Sequence, residues 1–229
     1  MRKIGLSNNQ LKILAMLAMT ADHVGLTLFP ELEWLRIIGR LALPIFAYMI
    51  AEGCCHTKHP LRYLGTMAGF AALCQGVYLF AMHSLYMCIM VTFTLSIAVI
   101  LLIRLAQSKH NPLFWFLPFL AILAVYYICQ ILPQKLPDTD FEIDYGFWGV
   151  MLPVVIYAGR DTWGKLLCTA LGLCLLAYTG YPIQWWSLAA LPLLALYNGQ
   201  RGKWKMKWFF YFFYPVHLVI IYGISLLMQ

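Results

Sequence analysis

The stretch Lys12 to His23, KILAMLAMTADH, sets a lysine, an aspartate and a histidine into an otherwise apolar helical run. At 100° per residue the separation of Lys12 and His23 amounts to three turns plus about 20°, so both side chains leave one face, about 16 Å apart along the axis. An Asp or Lys at the centre of a membrane helix costs about 2.5 to 3.5 kcal/mol on insertion scales, so such groups usually face a bundle interior and mark a functional path. The function is to be sought along this polar seam.

Composition sets the class around it. The chain is 62% hydrophobic and 11% charged, with a mean hydropathy of +0.75, and several apolar runs approach or exceed the ~18 residues of a transmembrane candidate. A soluble fold would leave too much apolar surface in water, so the expectation is an all-α, polytopic helical membrane protein. The longest polar gap, Pro133 to Asp144, leaves no room for a soluble domain, and a single domain over 1–229 is expected.

Nine spans are predicted: Leu11 to Phe29, Leu35 to Gly53, Tyr63 to Met82, Leu85 to Leu105, Leu113 to Leu132, Tyr145 to Gly159, Leu166 to Tyr178, Trp185 to Tyr197 and Trp208 to Met228. The sixth, seventh and eighth are short against the ~20 residues a 30 Å core needs, so tilt or shielding by neighbours is implied, and eight or ten spans remain open. Basic residues concentrate on the cytoplasmic side of membrane proteins. With the N-terminus inside, Arg2, Lys3, Lys58, Arg62, Arg104, Lys109, Arg160, Lys165, Arg201, Lys203, Lys205 and Lys207 fall inside, while the outside loops hold Lys135 and collect Glu31, Glu33, Asp138, Asp140, Glu142 and Asp144. The predicted topology is N-terminus cytoplasmic and C-terminus outside.

The net charge of +7 is thus a topogenic signal. It is spread over short loops without a nucleic-acid motif or stacking platform, so no nucleic-acid partner is expected. Lys203, Lys205 and Lys207, interleaved with Trp204 and Trp208, read as an anchor against anionic lipid heads, making the bilayer the expected partner. The basic start followed by Ile13 to Ala21 resembles a signal peptide, but Lys12, Asp22 and His23 bracket the run and no small-x-small site follows, so it is read as the first span. Of the seven cysteines, Cys74, Cys88, Cys129, Cys168 and Cys174 fall mostly inside spans as small core residues, and Cys54-Cys55 lies at a helix end. No disulfide framework emerges. His56 and His59 near that pair lack a plausible metal-ligand set, no metal is expected, and His83 and His110 also read as solvated.

Arg36 and Arg40 share a face of the second span, where Arg36 can snorkel outward more easily. Arg40 needs a partner, and Asp22 is the nearest candidate in depth across a short hairpin; the arginine then serves either a site or a structural ion pair. Glu52 can reach the inner interface. In the last span, YFFYPVHLVII, Pro215 lacks a backbone donor and frees carbonyls upstream, so His217 either satisfies such a carbonyl or joins His23 in a site.

The Asp22-His23 pair, Gly39-Arg40 followed by Pro44-Ile45-Phe46-Ala47, Asp144-Tyr145-Gly146 with Gly149, Tyr197-Asn198-Gly199 with Arg201-Gly202, and Tyr214-Pro215 with His217 together resemble the TraX family, in order and over nearly the whole chain. Its namesake acetylates the amino terminus of conjugative pilin. The resemblance implies one TraX-like transmembrane domain in the cytoplasmic (inner) membrane, acetyl-CoA as donor, and candidate roles for Arg40 and His217, with Tyr214 in substrate binding or pairing. Lys12, ten residues and His23 also resemble the basic-x10-His signature of acyltransferase-3 membrane enzymes, whose basic residue is usually arginine. That likeness implies a catalytic His23 and a donor-binding Lys12, although lysine lacks the bidentate fork of arginine.

Acyl transfer from a thioester to an amine or hydroxyl needs a base for the acceptor proton and donors for the developing oxyanion, and a neutral imidazole suits the first task. His23 is the expected base. Asp22 points about 100° away and is assigned to pairing with Arg40 or to positioning the acceptor. Lys12, near the cytoplasmic mouth, is placed to meet the donor phosphates, while Arg40 and His217 bind the acceptor or stabilise the oxyanion. The expected protein is a membrane acetyltransferase acting on a pilin-like peptide, a glycan or a lipid. The alternative is a proton-coupled transporter using the same Asp, His and Arg, which an inverted repeat would favour; none is found.

Overall fold

The computed structural model describes residues 5–81, 83–109, 111–203 and 206–228, which form helices joined by short loops. Among them the only extended pairings are the isolated bridges Leu6 to Tyr197 and Met87 to Ile143. Arg2, Lys3, Met82, His110, Trp204 and Lys205, and the side chain of Lys207, lie outside the described residues, so part of the charge alternation and of the lysine-tryptophan anchor has no structural account.

In chain order the helices are α1 (Asn8–Thr27), α2 (Glu33–Gly39), α3 (Ala42–His56), α4 (Pro60–Ala81), α5 (Ile89–Lys109), α6 (Phe116–Tyr126), α7 (Leu132–Lys135), α8 (Gly146–Ala158), α9 (Thr162–Thr179), α10 (Leu191–Ala195) and α11 (Lys207–Leu227). A 3-10 turn, Pro112–Trp115, leads into α6, and a π-helical turn, Tyr127–Ile131, joins α6 to α7. Pro133, just beyond that turn, lacks the N–H that would continue the α-helical ladder, which accounts for the widened turn.

Six helical stretches among the described residues are long and apolar enough to cross a bilayer: Glu33–His56, Pro60–Phe80, Ile89–Lys109, Pro112–Lys135, Thr162–Thr179 and Trp208–Leu227. The other three predicted spans take different forms. The first is α1, whose Lys12, Asp22 and polar start dilute its apolarity. The sixth is the 13-residue α8. The eighth is mostly a nine-residue 3-10 helix, Pro182–Ala190, continued by the five residues of α10. At ~2.0 Å per residue for the 3-10 part and ~1.5 Å for the α part, that segment reaches about 25 Å, longer than an α-helix of the same residues. The second predicted span is not one helix but two, broken at Arg40 and Leu41.

The chain divides into two compact units, Met1–Met49 with Asp161–Gln229, and Ile50–Arg160. In the first, α1 packs against α2 and α11, and α9 against the 3-10 segment. Ser7 caps α1 reciprocally with Gln10, whose side chain accepts the Ser7 N–H at 2.9 Å. Ahead of α1 the chain is stapled to the loop after α10: Leu6 N–H donates to Leu196 O at 2.7 Å, Asn198 N–H to Leu6 O at 2.9 Å, and Asn8 N–H to Gln200 O at 2.8 Å. The Tyr197-Asn198-Gly199 and Arg201-Gly202 motif therefore takes up orphan donors at the start of α1. Gly202 holds φ +95°, and a Cβ there would press on Asn9.

In the second unit α5 packs against α4 and α8, burying Met90, Phe93, Ile97 and Ile100 at helical spacing. The Ser96 hydroxyl, buried in the same helix, donates to Val150 O of α8 at 2.7 Å. At one end Arg104 donates to the carbonyls of Cys54 and Thr57. At the other, Met87 N–H donates to Glu142 O and Asp144 N–H to Met87 O, at 2.8 and 2.9 Å. The Tyr86 hydroxyl gives Asp144 a 2.7 Å hydrogen bond, and burial, followed by the charge of Asp144, holds that phenol protonated well above its ordinary pKa. The Asp144-Tyr145-Gly146 motif is thus a corner clamp, with Tyr145 left-handed at φ +60°. All seven cysteines are free thiols. Glu52, expected to reach the interface, is buried, and His56 Nδ1 instead lies 2.9 Å from its carbonyl.

Candidate functional site

Two polar clusters meet on α1 near its C-terminal end. The first is built on Asp22, which is buried. Arg36 Nη1 donates to Asp22 Oδ2 at 2.9 Å and Arg40 Nη2 donates to Asp22 Oδ1, so each carboxylate oxygen faces one guanidinium. The break after Gly39 lets Arg40 double back, with Nε donating to Arg36 O at 3.3 Å and Nη1 reaching Gln184 Oε1 of the 3-10 segment at 3.3 Å. α1 and α2 come together closely because Gly39 lies against Asp22: a Cβ at that position would collide with the carboxylate. Two guanidiniums thus flank one buried carboxylate, in surroundings where charge is weakly screened.

Arg36, which could snorkel outward more easily than Arg40, turns in to Asp22, with its side chain 26% exposed. Desolvating a carboxylate is costly unless its lone pairs are filled, and two donors fill them better than one. Gln184 was also missed. Its only signal was a glutamine and a serine, Ser187, inside an apolar run.

The second cluster joins α1 to α11. His23 Nδ1 lies 2.8 Å from His217 Nε2, and His217 Nδ1 lies 2.9 Å from Phe213 O. A carbonyl can only accept, so His217 Nδ1 carries a proton; with both rings neutral, its Nε2 is then an acceptor and His23 Nδ1 is the donor. The His23 Nε2 lone pair remains, with no hydrogen-bond partner among the described residues. Phe213 stacks on His217 with centroids 5.1 Å apart, and Tyr214, buried, sets its edge toward both imidazoles at 6.5 and 5.6 Å. The carbonyl used is that of Phe213, not that of Tyr211, which Pro215 deprives of its helical donor.

Toward the start of α1, the ammonium of Lys12 sits 5.2 Å over the Phe210 ring. No carboxylate forms an ion pair with it among the described residues, and Arg201 lies within electrostatic range. The contacts of Lys12 with Phe210 and of His23 with His217 advance in the same order, so α1 and α11 run in the same direction. The structure therefore brings Asp22 to Arg40 and His23 to His217 and Tyr214, and leaves Lys12 several turns away on the same pair of helices. No group of three or more His, Cys, Asp or Glu among the described residues could hold a metal ion.

An all-helical chain with several bilayer-length apolar helices and buried charges of this kind is a multi-pass membrane protein. It belongs to the TraX family, whose model, described as TraX protein, matches residues 7–225. The chain is similar to the probable fimbrial assembly protein FimC, serogroup H1, of Dichelobacter nodosus, with 27% identity over a 263-residue alignment covering all of this chain and 99% of that protein. Over 38 residues it is 60% identical to the uncharacterized protein RP591 of Rickettsia prowazekii (strain Madrid E), covering 17% of this chain and 15% of that one. No solved structure matches it.

Proposed function

We propose that the protein is an integral membrane acyltransferase that moves an acetyl group from acetyl-CoA to an amine or hydroxyl of a membrane-associated or exported acceptor. The observation that carries the reading is the His23–His217 pair, in which a chain of two hydrogen bonds leaves one imidazole nitrogen with a free lone pair. His23 Nε2 takes the acceptor proton as the acceptor nitrogen or oxygen attacks the thioester carbon. The C–S bond then breaks, and the departing thiolate takes that proton. His217 Nε2, accepting from His23 Nδ1–H, favours the imidazolium that forms between the two events. The guanidiniums of Arg36 and Arg40 favour a negatively charged oxygen nearby.

Lys12 suits the donor phosphates because it is a half-buried cation with Arg201 nearby and no ion-paired carboxylate among the described residues. Nine crossings with a cytoplasmic N-terminus fit this placement. The loops of residues 83–88 and 139–145 pair with each other, which suits the assignment of both to one side, and the 3-10 segment has nearly the reach of a crossing. This topology puts Lys12 toward the cytosol, in the cytoplasmic membrane. The description of the Dichelobacter relative as a probable fimbrial assembly protein supports a pilin-like acceptor over a glycan or lipid.

The test is transfer from labelled acetyl-CoA by the purified protein in nanodiscs supplied with host membranes, followed by identification of the labelled product. His23→Ala is expected to abolish transfer with expression intact; a fully active His23→Ala variant would overturn the assignment. No transfer, together with proton-coupled flux in proteoliposomes, would select the transporter.

A further inference from the structure

The 3-10 segment carries two polar side chains that no part of the mechanism above uses. Gln184 is 4% exposed and Ser187 is fully buried. Three residues make one 3-10 turn, so positions 184 and 187 project from the same side of the segment. Arg40 fixes the orientation of the Gln184 amide: a guanidinium only donates, so the oxygen must face Nη1, 3.3 Å away, and the NH2 end must point elsewhere. Gln184 Nε2 and Ser187 Oγ are both buried, and neither has a hydrogen-bond partner among the described residues.

Other hydroxyls in this chain behave differently. Thr20, Thr94 and Thr169 each donate to the carbonyl four residues back at 2.7 to 3.0 Å. Ser187 makes no such bond. Buried polar groups in native proteins are almost always paired, so two orphans on one face call for an explanation, and a ligand atom is a recognised one.

We propose that Gln184 Nε2 and Ser187 Oγ receive the carbonyl oxygen of the acyl group, a deepening that rests on the acyltransferase reading. An amide NH2 donates and cannot accept, which excludes an ammonium or another donor-only ligand and leaves an oxygen acceptor. The neighbouring Arg40, one of two guanidiniums sharing one carboxylate, favours an oxygen that gains negative charge. When the acceptor attacks the thioester carbon, the C=O electron pair moves onto that oxygen, held by these two donors. When the C=O bond reforms, the C–S bond breaks and the thiolate leaves with the proton stored on His23. The oxygen site connects back to the base through Arg40 and Asp22, the residue preceding His23.

The test uses the full-length protein in nanodiscs, with Gln184→Glu, which keeps an oxygen for Arg40 while removing the NH2, and Ser187→Ala, which removes only the hydroxyl. Each variant is first checked for an unchanged melting temperature; if either fails that check, the infrared measurement on wild type decides alone. Turnover is expected to fall about a hundredfold in Gln184→Glu and about tenfold in Ser187→Ala, with the KM for acetyl-CoA and the affinity for free CoA nearly unchanged. The infrared band of acetyl-CoA labelled at the carbonyl carbon should shift down on binding to wild type, and less in each variant. An unshifted band with normal transfer means that the two groups hold a water only; it overturns this inference and leaves the acyltransferase reading standing. Absence of both acetyl-CoA binding and transfer in wild type overturns that reading, and this inference with it.

Discussion

His217 donates its Nδ1–H to the carbonyl of Phe213 one turn earlier, and that 2.9 Å bond decides which nitrogen of His23, on another helix, keeps its lone pair. In the proposed transferase the relay takes the orienting part that a carboxylate takes in a hydrolase triad, with a helix carbonyl as the last acceptor. His217→Leu should therefore lower turnover by about a hundredfold or more, because His23 loses the acceptor that holds its tautomer. His217→Gln, whose amide oxygen can still accept from His23 Nδ1, should recover part of the loss. Equal activity in the two variants, measured as turnover at saturating donor, would show that His217 only fills space.

Asp22 balances two guanidiniums, so its removal should cost more than removal of either arginine. Asp22→Ala takes away the carboxylate that both guanidiniums face, and the expected loss is about 3 to 5 kcal/mol of stability. Adding Arg40→Met should restore part of that loss, since it removes the more buried of the two cations that faced the lost carboxylate. Thermal unfolding followed by size-exclusion of the detergent-solubilised protein measures both; no recovery in the double variant would contradict the ion-pair account.

How much of this could be read beforehand depends on whether a feature lives within one helix or between several. The eleven-residue spacing of Lys12 and His23 states a shared face, because helical periodicity is local. The Asp22–Arg40 pairing was accessible from depth in a short hairpin. The inward turn of Arg36 was not, because it depends on how closely α2 approaches α1, which Gly39 permits. The break at Arg40 is foreshadowed by Pro44, which has no N–H for the Arg40 carbonyl four residues back, but in the sequence Pro44 reads only as part of the Gly39-Arg40 motif. Nor does the sequence Ile183 to Leu191, rich in Trp, Leu and Ala, distinguish a 3-10 helix from an α-helix. Ser187 consequently lay unread inside a predicted span and Gln184 one residue before its start, although a spacing of three puts them on nearly one side of either kind of helix.

In the loop opposite the Arg104 end, Asp140 accepts from Leu85 N–H at 2.8 Å and from the Ser84 hydroxyl at 2.5 Å. These bonds, the hydroxyl first, hold its carboxyl below the ordinary carboxylate pKa. A carboxyl whose folded pKa is depressed adds stability above its unfolded pKa and loses it as pH falls through the folded one. The stability difference between wild type and Asp140→Asn should therefore be present at neutral pH and disappear in acid. Melting temperatures of both across pH 7 to about 3 check this; a difference that grows on acidification would show the sign to be wrong.

Lys12 provides the sharpest separation between a packing role and a binding role. Its contact with Phe210 could only anchor α1 to α11, in which case removing either partner should destabilise the protein similarly. If the ammonium meets donor phosphates, Lys12→Gln should raise the KM for acetyl-CoA about tenfold with little change in turnover, because uniform donor binding is lost. Lys12→Arg should largely preserve KM, and wild-type KM should rise with salt while that of Lys12→Gln changes less. Phe210→Leu keeps the charge and removes the ring, so it should affect melting temperature more than KM. Steady-state kinetics at two ionic strengths decide the matter, and a KM that ignores the charge at position 12 would remove Lys12 from the donor site.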